Sequence, residues 1–453
     1  MDREFGFQDL VYKPLYLSKD IPDQELKLLT KLAEKSRNLL FLSYQALSKF
    51  AINALKRGLP KTNVTALTFS KWEAEKTKGY DYIVLYELSQ INLNQVPAIR
   101  LAHQPKGKVI VKGANKMLLL GLGYIGYIYD KPFHQSKTFT TFLLEKDVSF
   151  DLYMPLIKGA AKVIDAPKRP FVKSDLFFAN DSPQATYYPL AQNIVKNKKW
   201  GQLKLLLNEI TVFALYPLHK KVNVVYAGAA SGEHFAISVR LFPNVTWHLY
   251  DPREVMVNHP NVKKYKSLFT NETAAKWAGR DDVVFFSDIR RKGFTEIEAL
   301  QHEVRVDEDM RMQQEWVTII EPEIACLKMR LPYVQGYETG DVYNYLDGDV
   351  AIQPYIGHSS SESRLIVQKK DGYATKDYDP ELYESQFFYH SMVTRLVKEY
   401  NMNGRNYSYD ESAFLYLLDV YAKVYNVPKS SLVLKKEIID QLNSMLKNKR
   451  FDI

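Results

Sequence analysis

An apolar strand runs directly into a turn of small residues at Val224-Val225-Tyr226-Ala227-Gly228-Ala229-Ala230-Ser231-Gly232, and helical spacing resumes near Glu233. No other stretch constrains the fold as much. Small residues let a ligand approach the backbone, and the start of the following helix offers unpaired N–H groups. Strand and helix signals alternate around it. A helix in WGQLKLLLNE precedes the strand and a helix in EHFAISVRLF follows it. Strands TWHLYD, VKKYKSLF and DVVFFSD come next, then a helix in VDEDMRMQQEWVTIIE and strands EIACLKMRL, GDVAIQPY and SRLIVQKK. This order predicts a mainly parallel sheet with helices on both faces and ligands bound beyond the carboxyl ends of its strands. The expected fold class is α/β: a Rossmann-like domain over residues 175–453, preceded by a separate α+β domain over residues 1–165.

The turn lacks the Lys and Ser/Thr of a phosphate loop. About twenty residues on, HLYDPR places Asp251 at the end of the next strand, where a carboxylate can accept both ribose hydroxyls of an adenosine. Together the two read as an adenosine-binding half-site. S-adenosylmethionine fits better than NAD, because the turn holds only two glycines and a lysine-bearing helix precedes the strand; a purely structural turn is the third reading. Two look-alikes carry less. Gly121-Leu122-Gly123-Tyr124-Ile125-Gly126 matches GxGxxG but leads into YIYDKPF rather than a helix, which suits a hairpin or tight bend. Lys369-Lys370-Asp371-Gly372 matches KxDG, yet Asp-Gly after a strand is an ordinary turn.

Four charged residues stand in four separated stretches: Lys204, Asp288, Lys328 and Glu362. Each alone has a plain explanation. Lys204, among Leu203, Leu206, Leu207 and Ile210, would be an edge-of-core lysine with its ammonium in water. Asp288 would mark the end of strand VVFFS. Lys328, between Leu327 and Met329, is harder to explain, since a central strand rarely spends an inward position on a charge. Taken in order around one adenosyl turn, the four suggest methyl transfer to a ribose hydroxyl, a weak acid that must lose a proton while a sulfonium methyl is held in line. A lysine can take that proton only where its amine is partly neutral, which burial and a second cation favour while carboxylates oppose. Lys328 is therefore assigned as general base, with Asp288 and Glu362 as orienting carboxylates. Lys204 is the neighbouring cation that favours the neutral amine and binds substrate.

Elsewhere the pattern is less specific. Residues 22–58 read as helical, with Ser36-Arg37-Asn38 as a candidate break, and residues 64–150 as short β-rich runs. AAKVIDAPKRPFVKSD, near residues 162–175, reads as a linker, and the basic amphipathic C-terminus as a packing helix. Residues 1–170 hold 26 Lys and Arg against 16 Asp and Glu, whereas the remainder holds 35 against 36. An excess confined to one segment points to a polyanionic partner there, nucleic acid first. The single cysteine, Cys326, excludes a disulfide framework and reads as a core residue in a reducing, cytoplasmic compartment. No HExxH pairing suggests a metal, and neither a membrane span nor a secretory leader is expected.

GQLKLLLNE, VVYAGAASG, SDIRRKG, LKMRLPY and SESRLIV, in this order and spacing, give residues 185–425 a resemblance to the poxvirus cap-specific mRNA (nucleoside-2′-O-)methyltransferases, a family whose members also serve as processivity subunits of the viral poly(A) polymerase. The resemblance implies a SAM-dependent methyltransferase domain with its catalytic residues at Lys204, Asp288, Lys328 and Glu362. It implies cofactor contacts at Gln202, Tyr226, Gly228, Gly232, Asp251, Arg253 and Asp288, with Phe269 near the adenine. Capped mRNA would be the substrate, its methylated guanine stacked between Tyr333 and Tyr188 and read by Glu384. A poly(A) polymerase catalytic subunit would be the partner, and a viral factory or virion the location. Two positions depart from the family pattern: Ser231 stands where the family has proline, and Gln335 near a second cap-reading carboxylate. The second bears on cap selection rather than on methyl transfer. The resemblance does not extend to the first 170 residues.

Overall fold

The computed structural model describes residues 23–43, 46–68, 71–72, 79–86, 103–112, 127–128, 134–135, 140–146, 154–187, 201–218, 220–290, 298–332, 342–357 and 360–445. They fall into two compact units, one of Met1–Ala166 with Tyr188–Lys198 and one of Pro167–Tyr187 with Lys199–Ile453.

In the first unit, α1 (Asp23–Ala33), α2 (Lys49–Gly58) and α3 (Met154–Asp165) accompany seven strands. These are β1 (Asn38–Ser43), β2 (Asn63–Thr68), β3 (Tyr80–Tyr86), β4 (His103–Lys112), β5 (Tyr127–Ile128), β6 (His134–Gln135) and β7 (Thr140–Lys146). Residues 38–43 correct the helical reading of 22–58. NLLFLS is buried from Leu39 to Ser43 and lies between β2 and β3, parallel to both. A six-residue apolar run fits a central parallel strand as well as a helix turn, and periodicity cannot separate them. The break itself stands at Ser36-Arg37-Asn38. There Asp81 accepts the Arg37 and Asn38 N–H groups at 2.8 and 2.7 Å and the Ser36 hydroxyl at 3.2 Å. Strands β2-β1-β3-β4 are parallel and β7 joins antiparallel, so this sheet is richer in parallel pairs than the expected α+β pattern. The glycines at 121–126 lie outside the described residues, and the chain just after them is strand β5. The linker read at 162–175 shortens, because α3 runs to Asp165 and a 3-10 turn begins at Lys173.

The second unit is built on β8 (Val222–Ala227), β9 (Val245–Tyr250), β10 (Val262–Tyr265), β11 (Val283–Ser287), β12 (Ile324–Met329), β13 (Tyr343–Leu346), β14 (Asp349–Ala351), β15 (Ser363–Gln368) and β16 (Thr375–Tyr378). Its main helices are α4 (Gly201–Leu215), α5 (Phe235–Leu241), α6 (Asn271–Ala275), α7 (Glu298–Ile320), α8 (Pro380–Tyr389), α9 (Tyr409–Val424) and α10 (Ser431–Met445). The main sheet has the order β10-β9-β8-β11-β12-β15-β14; its first five strands are parallel, β15 runs antiparallel to β12, and β14 pairs antiparallel with β15. β8, β9, β11 and β12 are largely buried on both sides because helices cover both faces, whereas the edge strand β10, VKKY, is largely exposed. α4, α5, α9 and α10 pack on one face, with Leu203, Leu207, Phe235, Phe414 and Ile438. α7 and α8 pack on the other, with Met310, Trp316, Val317, Tyr383 and Phe387. Cys326 is buried in the first layer. Lys369-Lys370-Asp371 forms a 3-10 turn that closes on Gly372 at φ +72°. Among the described residues no helix is long and apolar enough to cross a membrane, and no His/Cys/Asp/Glu group could hold a metal.

Candidate functional site

The carboxyl edge of the parallel strands collects the charged residues. Asp251 and Asp288 directly follow β9 and β11, and Lys328 is the penultimate residue of β12. Because β15 is antiparallel, its start lies at the same edge, so Glu362 arrives from the opposite direction, and Arg364 pairs in register with Lys328. Lys204 comes from the first turn of α4, whose Leu203, Leu206, Leu207 and Ile210 anchor that helix in the core.

These residues form one cluster. Lys328 Nζ is 3.0 Å from Asp288 Oδ1 and 3.5 Å from Glu362 Oε2. Lys204 Nζ donates to Glu362 Oε1 at 2.7 Å, so it is a partly buried partner of a carboxylate rather than a lysine with its ammonium in water. Arg364, almost wholly buried, closes the cluster: Nη2 donates to Asp288 Oδ1, Nη1 to the Ser287 carbonyl at 2.9 Å and Nε to Gln353 Oε1 at 2.9 Å. Gln353 in turn donates to Glu362 at 3.1 Å and accepts from Asn208 at 2.8 Å. Burial by itself would push the Asp288 carboxyl up, but Lys328, Arg364 and Lys204 outweigh it and hold the group at about 2. Burial acts the same way on Glu362, and Lys204, Lys328 and Arg364 hold it well below the usual carboxylate range. The Arg364 guanidinium, which burial would weaken, is kept firmly charged by Asp288 and Glu362.

Arg364, Gln353 and Asn208 escaped the sequence reading. Arg364 left a trace, as a lone charge two residues after Glu362 and beside Leu365-Ile366-Val367. A second buried network also went unseen. Gln202 Oε1 accepts the His234 N–H at 3.1 Å and lies 2.7 Å from His234 Nδ1, while His234 Nε2 lies 2.9 Å from Glu209 Oε1. Ser238 donates to the other Glu209 oxygen. This network ties the glycine turn to the helix that carries Lys204.

The turn itself is backbone-tight. Gly228 has φ +82°, and a Cβ there would lie 3.0 Å from the Asp288 carbonyl carbon and the Ile289 nitrogen; at Gly232, φ +73°, it would lie 2.7 Å from the Ala229 oxygen. Glycine at 228 thus lets the turn close against the strand end that presents Asp288. Asp251 Oδ1 accepts from the Arg253 N–H and Nε, and Oδ2 from the Ala230 N–H and Arg253 Nη2, at 2.9–3.1 Å. Burial would raise this carboxyl, but Arg253 and the two backbone N–H groups lower it. All its acceptor positions are engaged, so ribose hydroxyls can be accepted only in exchange for the largely exposed Arg253 side chain. The small-residue turn and this exchangeable carboxylate fit an adenosine. Tyr226 and Phe269 have buried side chains: Tyr226 stacks on Phe286 at 5.4 Å, and Phe269 packs among Tyr250, Phe285 and Trp316.

Tyr188, Tyr333 and Gln335 lie outside the described residues. Glu384 sits half-buried on α8, where burial pushes its carboxyl up against the opposing effect of Arg330. Arg330, just beyond β12, is paired with Glu303 of α7. Tyr187, next to Tyr188 in sequence, is half exposed, with its ring in edge contact with Phe388 at 5.3 Å. Burial and the Glu384 charge raise its phenol.

Comparison with known proteins adds a family. The family described as poly(A) polymerase regulatory subunit matches residues 171–445. No curated protein sequence matches the chain. Among solved structures, the multifunctional RNA-capping protein of bluetongue virus is similar at 13% identity and TM-score 0.33, over 84% of this chain and 62% of that one. The phosphoethanolamine N-methyltransferase 2 of Haemonchus contortus, in complex with S-adenosylmethionine, is similar at 12% identity and TM-score 0.22, over 95% of each chain.

Proposed function

Because the chain belongs to the poly(A) polymerase regulatory subunit family, we propose that its second unit transfers a methyl from S-adenosylmethionine to the ribose 2′-hydroxyl of the first transcribed nucleotide of capped mRNA. The observation that carries this reading is Lys328 Nζ held between Asp288 and Glu362 at the strand edge where the Gly228 turn closes. S-adenosylmethionine, when bound, supplies a methyl on a positively charged sulfur. The protein's own work is to take the hydroxyl proton and to aim the oxygen. Lys328 Nζ accepts that proton as the free amine, and its two carboxylates fix its direction. Lys204 grips Glu362 and faces the substrate. Gln202, Tyr226, Gly228, Gly232, Asp251, Arg253, Phe269 and Asp288 are assigned to the cofactor, and Tyr188, Tyr333 and Glu384 to the methylated guanine. The basic first unit, extending to about residue 165, is assigned to RNA.

The family description favours a second role, as a regulatory subunit of a poly(A) polymerase, which we read as an RNA-binding accessory role. One experiment separates the readings: offer labelled S-adenosylmethionine with RNAs ending in a methylated cap, an unmethylated cap or a triphosphate, then digest the product to nucleosides. The proposal expects 2′-O-methyl label on the first nucleotide of the methylated-cap RNA alone. Equal labelling of all three removes cap selection, and cofactor binding without labelling leaves only the accessory role.

A further inference from the structure

The first unit carries a feature that catalysis does not use. Helix α2 buries Ala51 and Leu55 and turns the opposite face outward. On that face Lys49, Phe50, Asn53, Lys56 and Arg57 are exposed, and Phe50, at 68%, is among the most exposed large apolar side chains described. Phe50, Asn53, Lys56 and Arg57 line an open cleft of about 540 Å³. None of the cations Lys49, Lys56 and Arg57 is in an ion pair among the described residues.

Helix energetics account for only part of this. Lys56 and Arg57 fall in the last turn, where cations complement the helix dipole. Lys49 opens the first turn, where the dipole disfavours it, and the turn has no acidic residue to compensate. Exposing a phenylalanine gains the helix nothing. Phe50, Asn53 and Arg57 follow i, i+3, i+7 spacing and form one stripe, about 10 Å long at 1.5 Å per residue. An aromatic face beside unpaired cations is what single-stranded nucleic acid needs, a stacking platform for a base and charges for the adjoining phosphates. A membrane-surface helix would need a broader apolar face than one ring beside an asparagine.

We propose that the outer face of α2 is a single-strand RNA site, with Phe50 stacking a base, Lys56 and Arg57 holding the flanking phosphates, and Asn53 hydrogen-bonding between them. This rests on the assignment of the first unit to RNA but not on methyl transfer. The test is fluorescence anisotropy of the full chain with a short uncapped single-stranded RNA across a salt series. Phe50→Ala should weaken binding about tenfold, as loss of one stacking contact does, and Phe50→Trp should restore it. Lys56→Gln with Arg57→Gln should flatten the log–log salt slope by about 1.4, at about 0.7 per lost phosphate contact. S-adenosylmethionine affinity in the absence of RNA should be unchanged in all of them. If wild type binds RNA with a steep salt slope and the variants match it, the site is wrong while the RNA assignment stands. If wild type shows no salt-dependent binding, both fall. Duplex RNA competing as well as single strand would overturn stacking. Phe50-dependent binding to anionic phosphatidylserine vesicles, with RNA affinity unaffected by Phe50→Ala, would overturn the proposal in favour of a membrane surface.

Discussion

Replacing Arg364 by methionine keeps most of the side-chain volume and removes the guanidinium, so the main consequences are electrostatic. Three bonds go at once, to Asp288, to the Ser287 carbonyl and to Gln353. Gln353 keeps its bond from Asn208, but Asp288 is left to Lys328 alone and the Ser287 oxygen loses this donor. Removing one partner of a buried ion pair costs about 3–5 kcal/mol. Domain stability is about 5–15 kcal/mol, so this is a large fraction of it. Urea unfolding at pH 7, followed by circular dichroism, should show that loss. Methyl transfer should also fall under conditions where the variant is folded, because Lys328 and the unanchored Asp288 form a different pair. Arg364→Lys should recover part of the stability but not the three-way geometry, since an ammonium lacks the planar fork. A stability loss below about 1 kcal/mol together with unchanged methyl transfer would refute the claim that Arg364 holds Asp288 in place.

Asp288 titrates at about 2 against an ordinary 3.8, so its folded value is depressed. It should contribute about 2 kcal/mol of stability above roughly pH 4, lost as pH falls toward 2. The stability gap between wild type and Asp288→Asn should therefore narrow over that acid range, and a gap independent of pH would contradict the assignment. Gly228→Ala should destabilise by about 1–3 kcal/mol and slow methyl transfer, because a left-handed backbone and a crowded strand end both oppose a Cβ. Gly404, also left-handed but with open space around it, provides the comparison: Gly404→Ala should cost the strain alone and leave activity intact. Asp251→Ala should weaken S-adenosylmethionine binding by at least about tenfold in calorimetry, the value of one good hydrogen-bonded contact; unchanged affinity would remove the adenosine half-site.

What the sequence made visible depended on contrast. A glycine turn at the end of an apolar strand, and single charges such as Lys328 and Asp288 inside or beside apolar runs, stand out without knowledge of partners. Arg364 carries the same kind of signal, but its role depends on the register of β15 against β12, and pairing across forty residues has no local trace. His234 and Glu209 are likewise unremarkable until α4 and the glycine turn meet. Strand β1 reads as helix in the sequence because a short apolar run suits either element, and only its two parallel neighbours decide. The charge excess of the first 170 residues was plain by counting, whereas the placement of Phe50 among exposed cations required the helix to show which face it buries.

The proposed mechanism requires Lys328 to remove the proton from the hydroxyl that receives the methyl. Single-turnover transfer from labelled S-adenosylmethionine to RNA with a methylated cap, at saturating cofactor, compares wild type with Lys328→Met most directly. Cofactor affinity should stay within about twofold of wild type, and the transfer rate should fall by about 10²–10⁴, the range of a lost general base. A Lys328→Met variant that methylates the same 2′-hydroxyl at the wild-type rate would contradict it.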